Sequence, residues 1–160
     1  MKKLSSRGIV AFATSFVLSV SALVASPSIA EARSMGFWAG HPLDGTSRSC
    51  FSENAGGTKY TAGPGCPGSG RWELPVPLDT NGAVTFSVRA KGVDNDVNGV
   101  RCQAFGVNNM DQLATSTPVQ TRLAPTFATL TLSLPSVPSG GHAIVVCTFN
   151  GGAEVGSVNF

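Results

Sequence analysis

The chain has 160 residues, of which 42% are hydrophobic and only 12% charged, with 19 Gly, 10 Pro and 4 Cys. Charged residues stand at about half the roughly 25% usual in soluble domains, which argues against a coiled coil or a solvated helical bundle, and the length fits one domain. The formal charge of +2 comes from Lys2, Lys3 and Arg7 in the first segment. Without them the chain is near neutral and has no electrostatic reason to seek nucleic acid or anionic lipid.

Those three cations precede an apolar stretch from Ile9 to Val24, then Pro27 and the small-x-small sites Ser28-Ile29-Ala30 and Ala30-Glu31-Ala32. A cationic start, a short apolar helix and small residues for a peptidase predict a cleaved secretory signal peptide over 1–32. Ser15, Ser19 and Ser21 dilute the apolar stretch and no stop-transfer pattern follows, so no membrane insertion is expected after cleavage. The expected location is secreted or periplasmic, with a single domain over 33–160. Its length of about 130 residues suffices to bury roughly two-thirds of the unfolded surface.

Phe37 and Trp38 open the mature segment, and Tyr60 lies within the Gly-rich stretch between Cys50 and Cys66. Exposed aromatics can stack on sugar rings, so Trp38 and Tyr60 are the candidate ligand-binding residues. From Arg71 to Leu78, Trp72, Leu74, Val76 and Leu78 share one face and Pro75 and Pro77 the other. Trp72 is therefore expected in the core, and the prolines, which cannot donate to a ladder, predict an edge strand. Ala83 to Lys91 alternates cleanly, with Val84, Phe86, Val88 and Ala90 inward.

Next comes Asp94-Asn95-Asp96-Val97-Asn98-Gly99, which fits the first six positions of the calcium-loop pattern D-x-[DN]-x-[DN]-G. Asp94, Asp96 and Asn98 are the candidate calcium ligands. The twelfth position is Phe105 rather than Glu, and the loop joins two predicted strands, so an EF-hand is excluded. A polar hairpin turn uses the same residue types.

Val100 to Phe105 reads as a short strand, Asn109 to Ala114 as a turn of helix, and Val119 to Leu123 as a weaker strand. Thr126 to Leu134 alternates with Ala128, Leu130, Leu132 and Leu134 inward; His142 to Phe149 is a denser, β-branched run expected of a central strand. Glu154 to Phe160 closes the set. Asn81-Gly82, Asn98-Gly99, Ser139-Gly140-Gly141 and Asn150-Gly151-Gly152 supply turns. The prediction is all-β: a small antiparallel sandwich of about 6–8 strands. No Trp lies between Cys102 and Cys147, so it is not a true immunoglobulin domain. A membrane barrel needs about 9–11 residues of alternation per strand, which only two segments approach.

Four cysteines in an exported chain imply two disulfides, with three pairings open. Cys50–Cys66 and Cys102–Cys147 are favoured on geometry: the first brackets a Gly-rich stretch that cannot hold itself by burial, and the second joins two strand patterns. Catalysis has little support, because His41 and His142 have no recognisable partners and no G-x-S-x-G elbow is present.

The order of leader, Cys50, Cys66, Trp-bearing strand, Cys102 strand and Val137-to-Phe149 segment VPSGGHAIVVCTF resembles a loose set of small exported bacterial hypothetical proteins with two cysteine pairs. The likeness implies an exported two-disulfide β-domain and carries over no activity or functional residues. The expected function is an exported non-enzymatic binding domain, with polysaccharide or an envelope protein as partner and no cofactor, calcium on the Asp94 loop being the alternative. The alternatives are a structural or protective envelope protein and, third, a secreted hydrolase.

Overall fold

A computed structural model describes residues 33–54, 56–78, 81–94 and 98–160. The predicted signal peptide and Asp96 lie outside the described residues. Along the chain run β1 (Ser34–Gly36), β2 (His41–Leu43), β3 (Phe51–Asn54), β4 (Gly57–Tyr60), β5 (Ser69–Val76), β6 (Gly82–Lys91), β7 (Val100–Val107), β8 (Leu113–Ser116), β9 (Gln120–Arg122), β10 (Ala128–Val137), β11 (His142–Asn150) and β12 (Glu154–Asn159). Single 3-10 turns at Phe37–Ala39 and Arg48–Cys50 interrupt the first part. Every pairing is antiparallel, in two six-stranded sheets. The first has the order β10-β6-β12-β4-β3, with β1 also on β12; the second has β2-β5-β11-β7-β8, with β9 also on β7.

The period-two patterns place the core where the sequence expects it. Leu130 lies opposite Val88 and Leu132 opposite Phe86, all four inward. Trp72, Leu74 and Val76 of β5, and Ala143, Val145, Cys147 and Phe149 of β11, complete the other half. Removing such a side chain from water is worth roughly 1.5–3 kcal/mol. Both favoured disulfides are present: Cys50–Cys66, and Cys102–Cys147 inside the core between residues directly opposite on β7 and β11.

Four details depart from the sequence reading. β5 is not an edge strand along its whole length, because β2 pairs with Arg71, Trp72 and Glu73; Pro75 lies beyond the end of β2, where a missing N–H costs nothing. Residues 109–114 form no helical turn. Asn108 Oδ1 accepts from the backbone N–H of Met110 and Gln112, both at 2.9 Å, and this side-chain competition bends the chain into a hairpin leading to β8. The Gly-rich segment is partly strand: Gly57, at φ 140°, lets β4 press its backbone against Val155, where a Cβ would fall 2.1 Å from the carbonyl oxygen. The strand expected from Thr126 begins only at Ala128, because the Thr126 carbonyl receives the Arg122 guanidinium.

Short strands tile two interior edges. β4 and β1 share one side of β12, and β8 and β9 share one side of β7. Beyond β1, Arg33 and Phe160 exchange both backbone hydrogen bonds, at 2.8 and 2.9 Å. Among the described residues no helix is long and apolar enough to cross a membrane.

Thr58 of β4 is fully buried, and its hydroxyl has no hydrogen-bond partner among the described residues. A buried unpaired hydroxyl costs about 1–3 kcal/mol. Thr58→Val is therefore expected to raise the unfolding free energy by about 1 kcal/mol in urea titrations. A drop of that size would instead mean the hydroxyl is satisfied.

Candidate functional site

With Trp72, Leu74, Val145, Cys147, Cys102 and Ala104 turned inward, their neighbours must face solvent on the outside of the second sheet. Register sets these in rows across β5, β11 and β7: Arg71–Thr148–Arg101, then Glu73–Val146–Gln103, then Pro75–Ile144–Phe105. A shallow depression of about 200 Å³ opens here. Val146, Phe105 and Val119 give it an apolar floor and flank, while Arg71, Arg101, Gln103 and Thr148 supply polar groups. Val119 is 54% exposed.

The polar groups differ in what they already hold. The Gln103 amide N–H donates to the Thr117 carbonyl at 2.6 Å, which fixes the side chain and leaves its oxygen as the remaining acceptor. Arg71 is ion-paired with Asp44, and His41 Nε2 lies 3.1 Å from Glu73 Oε1. Among the described residues the Arg101 guanidinium has no hydrogen-bond or ion-pair partner.

The residues singled out in the sequence are scattered. Asp94 and Asn98 do meet: the Asp94 carboxylate accepts from the Asn98 backbone N–H at 3.1 Å and from its side-chain amide at 2.7 Å. That ties the β6–β7 connection to itself, the part a polar turn assigns to an Asp, but the connection crosses from the first sheet to the second and is not the hairpin the sequence suggested. Trp38 is 49% exposed, and its indole lies over Gly36, where a Cβ would fall 2.0 Å from Nε1. It therefore presents one ring face on a flat backbone support.

Tyr60 is corrected. Its ring is fully buried against Phe51, and its hydroxyl donates to the Pro67 carbonyl, so it cannot stack on a ligand. Cys50, Cys66, Cys102 and Cys147 are all structural cross-links, with no free cysteine among the described residues. His41 and His142 do not converge: His142 starts β11 about 13 Å along the strand from Val146, on the row that includes His41.

Arg101, Gln103 and Phe105 were not singled out by motif. The available signal was alternation in VRCQAFGV, which puts a phenylalanine and an arginine on the outward face once Cys102 is fixed inward.

No family model matches the chain, and no curated protein matches it. Among solved structures it is similar to the CBM36-1 domain of a multidomain xylanase from the hindgut metagenome of Trinervitermes trinervoides, at 8% identity and a TM-score of 0.48 over 80% of this chain and 94% of that one. A second similar chain, described as "CBM4 structure and function", shares 16% identity at a TM-score of 0.36 over 76% of this chain and 73% of that one.

Burial pushes the Tyr60 hydroxyl above the ordinary tyrosine range. A raised value means stability that is complete below the unfolded pKa of roughly 10 and is lost as pH rises through the folded one. Tyr60 is the only tyrosine in the chain, so ultraviolet titration reads it alone. Its midpoint is expected above roughly 10 in the native protein and near 10 in urea with reductant. Equal midpoints in both would contradict the burial. Tyr60→Phe should flatten the alkaline loss of stability and cost about 1 kcal/mol at neutral pH.

Proposed function

We propose that this chain is a non-catalytic binding domain of an exported protein, and that it takes a polysaccharide on the outer face of the second sheet. The observation that carries this is the depression itself: an apolar floor of Val146 and Phe105, partly covered groups fixed by the sheet, and planar or hydroxylic side chains at the rim. A sugar ring offers C–H faces to such a floor and hydroxyls to such a rim. Binding sites pair a mainly apolar lining with a few oriented polar groups in this way. The outer face of the first sheet is different. There Thr85, Ser87, Thr129, Thr131 and Ser133 form a flat hydroxyl ladder without an apolar centre.

Export is supported by the leader pattern and by two disulfides, which persist in oxidising compartments. Trp38 offers a second stacking face away from the depression, and the candidate calcium loop of Asp94, Asp96 and Asn98 would act through the connection between β6 and β7.

The test is a polysaccharide panel against the oxidised protein, followed by titration calorimetry in calcium and in EDTA. Phe105→Ala is expected to weaken binding about tenfold, equivalent to about 1.4 kcal/mol, while Trp38→Ala leaves it within twofold. Loss on Trp38→Ala alone would move the site to the indole. Equal affinity in calcium and EDTA would remove the cation from the account, and a loss in EDTA that Asp94→Ala reproduces would establish it. Binding to no polysaccharide would favour the structural envelope role.

A further inference from the structure

The distribution of charge across the second sheet is uneven, and the unevenness points to a ligand. On the β2–β5 side the polar groups have partners: Arg71 is ion-paired with Asp44, and Glu73 Oε1 lies 3.1 Å from His41 Nε2. Two strands away, Arg101 of β7 lines the same depression with no partner among the described residues. Thr148 separates the two arginines in the row Arg71–Thr148–Arg101, so their Cα atoms are about 10 Å apart and no acid stands between them. An arginine side chain could simply extend into water. Here it borders an apolar floor, beside a glutamine whose amide is already fixed.

We infer that the outer face of the second sheet selects carboxylated polysaccharides, with the Arg101 guanidinium as the group that reads the uronate carboxylate. This rests on the polysaccharide reading given above. A guanidinium presents two parallel N–H donors that match the two oxygens of a planar carboxylate, and the pair is stronger and more directional than a neutral hydrogen bond. Phe105 and Val146 would take the apolar face of the sugar, while the Gln103 oxygen and the Thr148 hydroxyl suit its ring hydroxyls. Arg71, already neutralised by Asp44, contributes less. The near-neutral charge of the domain makes this a local fork rather than a general polyanion surface.

The experiment titrates the full disulfide-bonded chain with polygalacturonate, with the same polymer after carboxyl reduction, and with poly-glutamate. Polygalacturonate is expected to bind, the reduced polymer to bind at least about tenfold more weakly, and rising salt to weaken only the former. Arg101→Gln should abolish the difference between the two polymers. Arg101→Lys, which keeps charge but loses the fork, should fall between, and Arg71→Gln should cost less than Arg101→Gln. Both positions are exposed, and a far-ultraviolet dichroism check confirms that the variants fold.

Equal binding of native and reduced polymer, or an unaffected Arg101→Gln, would overturn the carboxylate reading and leave polysaccharide binding standing. Absence of binding to either polymer and to the neutral panel would overturn both. Poly-glutamate binding as tight as polygalacturonate would show that the fork reads an acidic peptide instead, and would overturn the sugar class.

Discussion

One aromatic knot holds the two sheets in register at one end of the sandwich. Phe51 of β3 sits 5.0 Å from Tyr60 of β4, 4.7 Å from Trp72 of β5 and 5.9 Å from Phe149 of β11, centroid to centroid. Two of these rings belong to the first sheet and two to the second. Each such pair adds about 0.5–1.5 kcal/mol beyond its buried area. The knot also fixes how the chain enters: the buried Trp72 indole donates to the Phe37 carbonyl at 2.8 Å. That bond holds the 3-10 turn between β1, on the first sheet, and β2, on the second. Arg48 lies over the Trp72 ring and is held there by two hydrogen bonds to Glu53, while Cys50–Cys66 ties the turn before β3 to the loop after β4.

Because strand side chains alternate, a one-residue slip between β7 and β11 would exchange the inner and outer sets. The Cys102–Cys147 bridge forbids that slip, since the two residues lie directly opposite. The same bridge therefore sets Arg101 beside Thr148 and Gln103 beside Val146. A cross-link buried in the core decides the spacing of groups on the surface.

The long strands were legible because eight to ten residues of alternation leave little ambiguity about which face is buried. Cys102–Cys147 could be argued from the same patterns, and Cys50–Cys66 from the Gly-rich stretch it brackets. Of the strands of three or four residues only β9 was legible, within the weaker run Val119 to Leu123; β1, β2 and β4 are too short for a period and contain Gly or Pro. They form because a longer neighbour offers them an edge, which is a tertiary cause. The site was less visible still. Tyr60 and Trp38 are both aromatics in loop-like surroundings, and only the three-dimensional arrangement buries one and exposes the other. Arg101 and Phe105 carry no motif; they matter because three non-consecutive strands bring Arg71, Val146 and Thr148 alongside them.

The pairing of Arg33 with Phe160 has a mechanical consequence. Because the two residues lie side by side on one antiparallel ladder, tension applied through them loads backbone bonds singly, as in opening a zipper, rather than shearing a row together. β1 and the end of β12 would yield first, at low force. The yield is then checked covalently: the loops of 16 and 45 residues closed by the two disulfides cannot be drawn out. At about 3.3–3.6 Å per extended residue, the bridges withhold roughly 200 Å of contour length. Under load the domain would behave as a soft, short extensible link with a hard stop.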